Sequence, residues 1–433
     1  MQKRFRELKQ EIEKYFDRLW PINRSLTGNG NRETLSILSE LVDLKIREIP
    51  SGTECFDWTV PPEWNVKEAW VKDSSGKKII DFKENNLHLI GYSQGFEGRL
   101  SLDELKQHLH SSPEQPDVIP YRTSYYESRW GFCLSHTQLQ SLKEDNYEVK
   151  IDAEHNPKGS MTIGEAVIQG ETEREILIST YICHPSMANN ELSGPLVSSF
   201  LYSKLKSGIP AYHTLRFIFV PETIGAIWYL SENGNRLKEK LAAGFVLTCI
   251  GDDGAFTYKR SRRGNSVADR CAEYVLTNSN SKFTVEDFFP TGSDERQFCS
   301  PGFNLPVGSL MRTRYGKFDE YHTSADDKSF ISFRAIEDSV NLCAAVIDAV
   351  DKNAVYKNLM PYCEPQLGKR GLYPTLGSKT DTSQYVNAMM WVLNQSDGMK
   401  DLLEISNRSG IRFSEIIDAA ESLKKSGLTE RIS

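Results

Sequence analysis

Paired cysteine motifs, long apolar runs and an excess of one charge are all missing from this 433-residue sequence, and each absence excludes a class of protein. The eight cysteines (Cys55, Cys133, Cys183, Cys249, Cys271, Cys299, Cys343, Cys363) are scattered, with no Cys-x-x-Cys among them. That excludes zinc-ribbon spacing and fits the reduced thiols of a cytoplasmic protein. The longest apolar stretch, Ala242 to Ile250, is far too short to cross a bilayer, so no membrane partner is expected. The first twenty residues start basic but have no apolar core behind them, unlike a secretory signal. Lys plus Arg number 52 against 59 Asp plus Glu, a net charge of −7. Without a basic excess, nucleic acid is not an expected partner. No internal repeat or low-complexity tract stands out.

What is present is ordinary globular composition, 39% hydrophobic and 26% charged, in a chain long enough for two or three domains. Phe5, Leu8, Ile12, Phe16 and Leu19 recur at helical spacing and predict an opening amphipathic helix. After Gly28–Asn31 a second helical pattern runs through Leu35, Leu38, Leu41 and Leu44. From about Ile46 to Val149 short apolar runs (Glu68 to Val71, Leu87 to Ile90, Gly131 to Leu134) alternate with turn residues. That texture predicts mostly strand, with a helix near Leu102–His110.

Beyond Val149 the rhythm becomes strand and helix in alternation. Glu175–Tyr181, Leu215–Val220 and Phe245–Ile250 read as buried strands; Pro195–Leu205, Ile224–Leu230, Arg236–Ala243 and Arg334–Val350 read as helices. This is the pattern of an α/β core with a mainly parallel sheet and helices on both faces. A Pro- and Gly-containing linker follows, then a helix-turn-helix pattern that predicts a winged helix. The expected division is therefore a core from 1–50 and 150–355, an inserted β-rich domain at 51–149 and a winged helix at 356–433.

Polar residues follow each predicted strand. His184 comes after the first, Asn190 and Glu191 in the turn beyond it, Glu222 after the second, Asp252 after the third, and Tyr321–His322 further on. In such sheets the functional groups collect just past the carboxyl ends of the strands. Imidazoles and carboxylates together suit Zn²⁺ or a similar ion, and a free Glu beside it is the equipment of amide hydrolysis. Taken singly, His184 is more often a packing residue, Asp252 a turn former and Glu222 a helix N-terminal carboxylate.

In order, His184, the Asn-x-x-x-Ser-Gly turn, Glu222, Asp252, Gly-Ser-Asp at 292–294 and Tyr-His-Thr at 321–323 resemble the co-catalytic zinc aminopeptidases. Longer stretches are similar to a bacterial aminopeptidase-like family of unassigned function: Arg-Ser-Leu-Thr-Gly (24–28), Phe-Asp-Trp-Thr-Val-Pro (56–61), Pro-Tyr-Arg-Thr-Ser-Tyr-Tyr (120–126), Tyr-Lys-Arg-Ser-Arg-Arg-Gly (258–264) and Gly-Ser-Asp-Glu-Arg-Gln (292–297). The resemblance implies a peptidase-like α/β core, an inserted β-rich domain and a C-terminal winged helix. It also implies that His184, Asp252 and His322 ligate metal, that Glu222 is the general base, and that Tyr321 polarises the scissile carbonyl.

The chain departs from the superfamily at three positions. Ser186 stands where an Asp orients the first His, Asn190 where a carboxylate bridges two ions, and Thr223 where a Glu ligand follows the base. With those carboxylates gone, one ion is expected rather than two, and Glu191 is the neighbour able to compensate if the turn absorbs a one-residue slip. Arg260, Arg262 and Arg263 are candidates for binding an anionic group of the substrate, or else a solvated loop; Arg24, Arg122, Arg296, Arg312 and Arg314 could join them. Tyr121, Tyr125, Tyr126 and Trp130 are expected in the core of the insertion rather than as an aromatic wall.

The expected function is metal-dependent hydrolysis of an amide in a small peptide, sugar or metabolite. The alternative is a peptidase fold kept as a binding or assembly module. From Gly371 to Ser433 seven Lys plus Arg meet eight Asp plus Glu, a net −1. The winged helix is therefore expected to pack on protein, the core or another subunit of a homo-oligomer, rather than on DNA.

Overall fold

The computed structural model describes residues 2–143, 146–208, 211–372 and 379–432. The chain forms two compact units, Met1–Ala345 and Val346–Ser433, the boundary falling inside the helix Phe333–Lys352.

The first unit is built on an eight-stranded sheet. Its order is Lys45–Pro50, Ser160–Ile168, Thr214–Val220, Glu175–Tyr181, Leu241–Leu247, Val307–Met311, Phe256–Lys259 and Phe283–Glu286. The four central strands, Thr214–Val220 through Val307–Met311, run parallel; Ser160–Ile168 and Phe256–Lys259 flank them antiparallel. Every residue of Glu175–Tyr181 and of Val307–Met311 is buried, as expected of strands covered on both faces. The fold is a mixed α/β architecture.

The opening helix, Gln2–Leu19, buries Ile12, Phe16 and Leu19 on one face; the side chain of Phe5 lies outside the described residues. The second helix stops at Leu38, although the apolar spacing continues to Leu44. Two further expectations are corrected. Ile224–Lys240 is one helix, not two, and the chain enters the next strand directly at Leu241. The intervening Gly234 is no breaker: a Cβ there would lie 2.2 Å from the Phe303 ring, so it is a packing glycine. Leu87 belongs to a 3₁₀ turn, Asn86–His88, whose cap Asn85 accepts from the Leu87 N–H, and not to a strand.

Between Pro50 and Ser160 the chain leaves the main sheet and forms a four-stranded antiparallel one, ordered Lys78–Asp81, Glu63–Lys72, Asn146–Asn156 and Phe96–Ser101. It has its own core, including Trp64, Val71, Ile80, Phe132 and Val149. The predicted helix here is shorter than expected, Leu102–Lys106, closed by a Ser101/Glu104 capping box.

The second unit is a winged helix. Val355–Asn358 lies between Asp397–Asp401 and Thr429–Arg431 in an antiparallel sheet, with the helices Lys379–Gln395, Leu402–Ser409 and Phe413–Lys425. Gly410, in the left-handed region at φ 71°, makes the tight turn between the last two helices.

One glycine sets how closely a helix meets the sheet. Gly194 opens the helix Ser193–Lys206, and a Cβ on it would fall 2.4 Å from Thr180 Oγ1 and 2.5 Å from the Leu247 carbonyl oxygen. Helix propensity alone favours Gly194→Ala by about 1 kcal/mol. Here the substitution is expected to destabilise by roughly 1–3 kcal/mol, because the carbonyl it meets belongs to a central strand. A lowered urea midpoint checks the sign.

Candidate active site

The carboxyl ends of the parallel strands deliver the candidate residues to one edge. Tyr181 pairs with Val220 in the register of neighbouring strands, and the Ile182 N–H still donates to the Val220 carbonyl at 3.0 Å. His184 and Glu222 follow within three residues of those strand ends, and His184 Nε2 lies 3.7 Å from Glu222 Oε2. The other imidazole nitrogen, Nδ1, is 2.9 Å from Glu191 Oε2.

Glu191 reaches His184 because its turn is a π-helix, Ala188–Leu192, which holds one residue more per turn than an α-helix. The turn sets Glu191 behind the imidazole, on Nδ1, and not on the Nε2 side that faces Glu222. Asp326 fastens the start of this turn: its carboxylate accepts from the N–H groups of Asn189 at 2.7 Å and Asn190 at 2.9 Å. Glu191 has no exposed surface, and Arg24, equally buried, sits with Nε 3.6 Å from Glu191 Oε1.

His322 arrives from a different element. Its ring centroid is 5.6 Å from that of His184, and the Tyr121 ring packs against both, 5.3 Å from His184 and 5.1 Å from His322. The inserted segment braces this loop directly. The Tyr121 N–H donates to the His322 carbonyl at 2.8 Å, and Ser324 N–H to the Ile119 carbonyl at 2.8 Å. Tyr321 stacks on His322 at 4.0 Å.

A cavity of about 250 Å³ opens here, lined by His184, Glu222, Thr223 and Arg296 on the core side and by Trp58, Tyr125 and Tyr126 from the insertion. Tyr125 and Tyr126 thus form an aromatic wall rather than only a core. Tyr121 is buried in a small core with Leu87 and Met187, and Trp130 packs against the core of the insertion, stacked on His108 at 3.7 Å and on Phe96 at 4.2 Å.

Burial, with Arg24 nearby, pushes His184 down to about 3; burial and the neighbouring His184 do the same to His322. Both are neutral imidazoles with lone pairs. Desolvation, then Asp294 beside it, drives the Glu222 carboxyl well above its usual range, with Arg296 opposing. Asp294 is pushed by burial up to about 7, although it accepts the Thr223 N–H at 2.7 Å. Its second oxygen, Oδ2, is buried without a hydrogen bond. Thr223 itself is held at φ 66°, a strained position for a β-branched residue, with its hydroxyl accepting from Arg296 at 2.8 Å.

Several predicted residues are engaged elsewhere. Both Asp252 oxygens are hydrogen-bonded, to its own loop and to two others: Oδ1 accepts from Gly254 N–H (2.6 Å) and Thr313 Oγ1 (2.7 Å), and Oδ2 from Asn189 Nδ2 (2.9 Å) and Thr313 N–H (3.2 Å). Among the described residues, the buried cluster of metal-capable groups is Cys183, His184 and Glu191, without Asp252. The strand Leu241–Leu247 ends earlier than its apolar run, so the residue near the site is Cys249, at φ 44°, whose Sγ lies 3.7 Å from Asn190 Oδ1. Sequence reasoning passed over Cys249; the signal was its place two residues beyond a strand end. Asn190 is tied by Tyr181, whose hydroxyl is 3.2 Å from its Oδ1.

The arginine triplet is not drawn into the cavity. Arg260 pairs with Glu273 and Asp287, while Arg262 and Arg263 bond the side chain and backbone oxygens of Asn304. Arg296 lines the cavity in their place. Arg314 pairs with Glu286, and Arg312 bonds Gly254 and Ala335 carbonyls.

Strand order, site edge and winged helix together define an aminopeptidase-like α/β protein with a C-terminal winged helix. The chain belongs to the family described as domain of unknown function DUF4910, which matches residues 13–353, and residues 354–431 match a winged helix-turn-helix family. It is 49% identical over 413 residues to a Clostridium acetobutylicum protein named for polysaccharide biosynthesis and an aminopeptidase-like domain, covering 95% of this chain and 94% of the relative. A crystal structure of a candidate peptidase from Clostridium acetobutylicum superposes with a TM-score of 0.88 at 46% identity, over 100% of this chain and 99% of that one. The zinc aminopeptidase BSAP of Bacillus subtilis shares the fold at a TM-score of 0.57 and 12% identity, over 79% of this chain and 97% of that one.

Asp252 yields a prediction. Asp252→Ala strips four hydrogen bonds from buried or half-buried donors, each costing about 1–3 kcal/mol when left without an acceptor. Allowing for relaxation, a loss of roughly 2–4 kcal/mol is expected in protein stripped of metal by chelator. A urea midpoint that moves only when metal is present would instead mark Asp252 as a ligand.

Proposed function

We propose that this protein is a metal-dependent amide hydrolase acting on a small substrate. One observation carries it: the imidazole nitrogen of His184 left free by Glu191 faces the Glu222 carboxylate across 3.7 Å, both lining a cavity of about 250 Å³.

The donor set suits a divalent cation. His184 and His322 are neutral, and Glu222 and Asp294 are near neighbours with Arg296 as the opposing charge. Crowded carboxylates and imidazole lone pairs are what one divalent ion, zinc by preference for nitrogen, would offset. His184 and His322 would hold it. Such an ion supplies polarisation of a water and of an amide carbonyl. Asn190 brings an amide and Thr223 a hydroxyl where a second ion would need carboxylates, so one ion is favoured over two.

Glu222 is the general base. It sits at the cavity wall, takes the proton of the attacking water and returns it to the leaving amine. Tyr321, whose phenol burial keeps protonated, donates a hydrogen bond to the carbonyl. Trp58, Tyr125 and Tyr126 restrict the cavity to small groups, and the name of the 49% identical relative supports an amide on a sugar precursor as well as a small peptide.

Asn190 and Thr223 also favour a second role, a peptidase fold used as a binding or assembly module. Zinc loading followed by desalting separates the two, since protein zinc sites bind tightly: less than about 0.2 ion per chain would exclude the hydrolase. Glu222→Gln is expected to retain the ion while turnover of a small aminoacyl amide falls roughly 100-fold or more. Loss of the ion in that variant would make Glu222 a ligand, and full activity would remove it from the chemistry.

For the winged helix we propose a protein contact, because its charge is near neutral (−1 from Gly371 to Ser433). Salt-sensitive binding of duplex DNA by the full chain at about micromolar affinity, the mark of phosphate contacts, would overturn this.

A further inference from the structure

The carboxylate that orients the first histidine is missing from its usual place. Ser186 stands there, and its hydroxyl accepts instead from Asn86 Nδ2 of the insertion at 3.0 Å. We infer that Arg24 and Glu191 have taken over the orienting role, forming a buried positioning pair that holds His184 as the Nδ1–H tautomer, with its Nε2 lone pair directed at Glu222. What Nε2 then serves rests on the hydrolase proposed above; the tautomer does not.

Three observations converge. Glu191 Oε2 is 2.9 Å from Nδ1. Burial pushes the Glu191 carboxyl well up, and the Arg24 guanidinium 3.6 Å away opposes it; paired with that guanidinium as a carboxylate, Glu191 accepts at Nδ1, which leaves the lone pair on Nε2. Arg24 holds both the carboxylate and the backbone of the same histidine. Its Nε is 3.6 Å from Glu191 Oε1 and donates to the His184 carbonyl at 3.0 Å, while Nη1 anchors to the Leu19 carbonyl at 2.8 Å. Ring and main chain of His184 are thereby fixed from one guanidinium. Finally, Arg24 Nη2 and Glu191 Oε1 are buried without a hydrogen bond, an arrangement that stability alone does not favour.

The same atoms could be taken for a cation site, since Cys183 Sγ lies 3.5 Å from His184 Nδ1 and the three residues cluster. The Arg24 guanidinium already supplies positive charge to Glu191, so a second cation at Nδ1 would be repelled. A carboxylate donating orientation to a ligating histidine is the commoner arrangement, and its loss typically weakens metal binding by 10–100-fold.

Histidine-selective ¹⁵N labelling of the full chain, kept free of metal, reads the tautomer by two-bond ¹H–¹⁵N correlation, with His184→Gln identifying the resonance. The expected result is Nδ1–H in the wild type, with that preference weakened in Glu191→Gln and partly restored in Glu191→Asp. Zinc competition against a chromogenic chelator should show about 10–100-fold weaker binding in Glu191→Gln. An Nε2–H tautomer in the wild type would overturn the inference even if every variant failed to fold. An unchanged tautomer and unchanged zinc affinity in folded Glu191→Gln would overturn it too. A tautomer shift in a chain that takes up no zinc would uphold the pair and defeat the hydrolase.

Discussion

A carboxylate with no access to water has to be matched, and much of this molecule is arranged around matching Glu191. Moving an isolated carboxylate into a protein interior costs several kcal/mol, so it persists only with charge and hydrogen-bond partners at hand. The partners are Arg24 and His184. Arg24 comes from just after the first helix, which explains why the N-terminal segment is folded into the core. Asn31 fixes that segment by donating to the Ser25 carbonyl at 2.7 Å, and Gly28, at φ 106°, passes so close to Trp64 that a Cβ would fall 2.2 Å from its carbonyl oxygen. The Arg-Ser-Leu-Thr-Gly stretch is thus a structural device for bringing one guanidinium to one histidine.

The second histidine is positioned by a different logic. No strand of the central sheet carries His322; it sits at φ 56° in a loop, and a loop alone holds a side chain poorly. The inserted segment supplies the rigidity. Pro120 bridges Thr323 antiparallel, and Gln115 Nε2 donates to the Asp319 carbonyl at 2.8 Å, so the loop is paired on one side as a strand would be. Asp326, a few residues on, caps the π-turn that carries Glu191. The two histidines are therefore linked through main-chain hydrogen bonds as well as through the Tyr121 ring. A displacement of the insertion would be felt at His322 first.

How much of this was legible in the sequence follows from which partners are local. The central strands were, because buried parallel strands write themselves as unbroken apolar runs, and His184 and Glu222 follow directly from where two of those runs end. At the third strand the apolar run to Ile250 outlasts the strand itself, which closes at Leu247. The group beside Asn190 is therefore Cys249, two residues past that strand, which the sequence did not single out. The Arg260–Arg263 triplet misled for another reason: Glu273, Asp287 and Asn304 are 13 to 42 positions away in sequence, and nothing local announces that they consume the charge. That Glu191 would face the His184 imidazole was not legible, since the π-turn that carries it is fastened by Asp326, more than a hundred residues downstream.

Asn190 and Thr223 read differently once their surroundings are known. An abandoned metal site should lose the groups that serve only the metal and leave neutral, loosely held remnants. Here the replacements are tightly held. Asn190 is fixed by Tyr181 and Asp326, and Thr223 is strained, bonded to Arg296, with its N–H on Asp294. Strain of that kind is retained where the surrounding structure over-determines it, most often at functional sites. Arg296 donates to the Thr223 hydroxyl at the strand end and there partly offsets Glu222 and Asp294. The departures therefore form a set. Arg296 stands beside the Glu222 and Asp294 carboxyls and Glu191 stands behind His184, so the charge on each side of the free imidazole nitrogen is set by side chains that separate turns bring together.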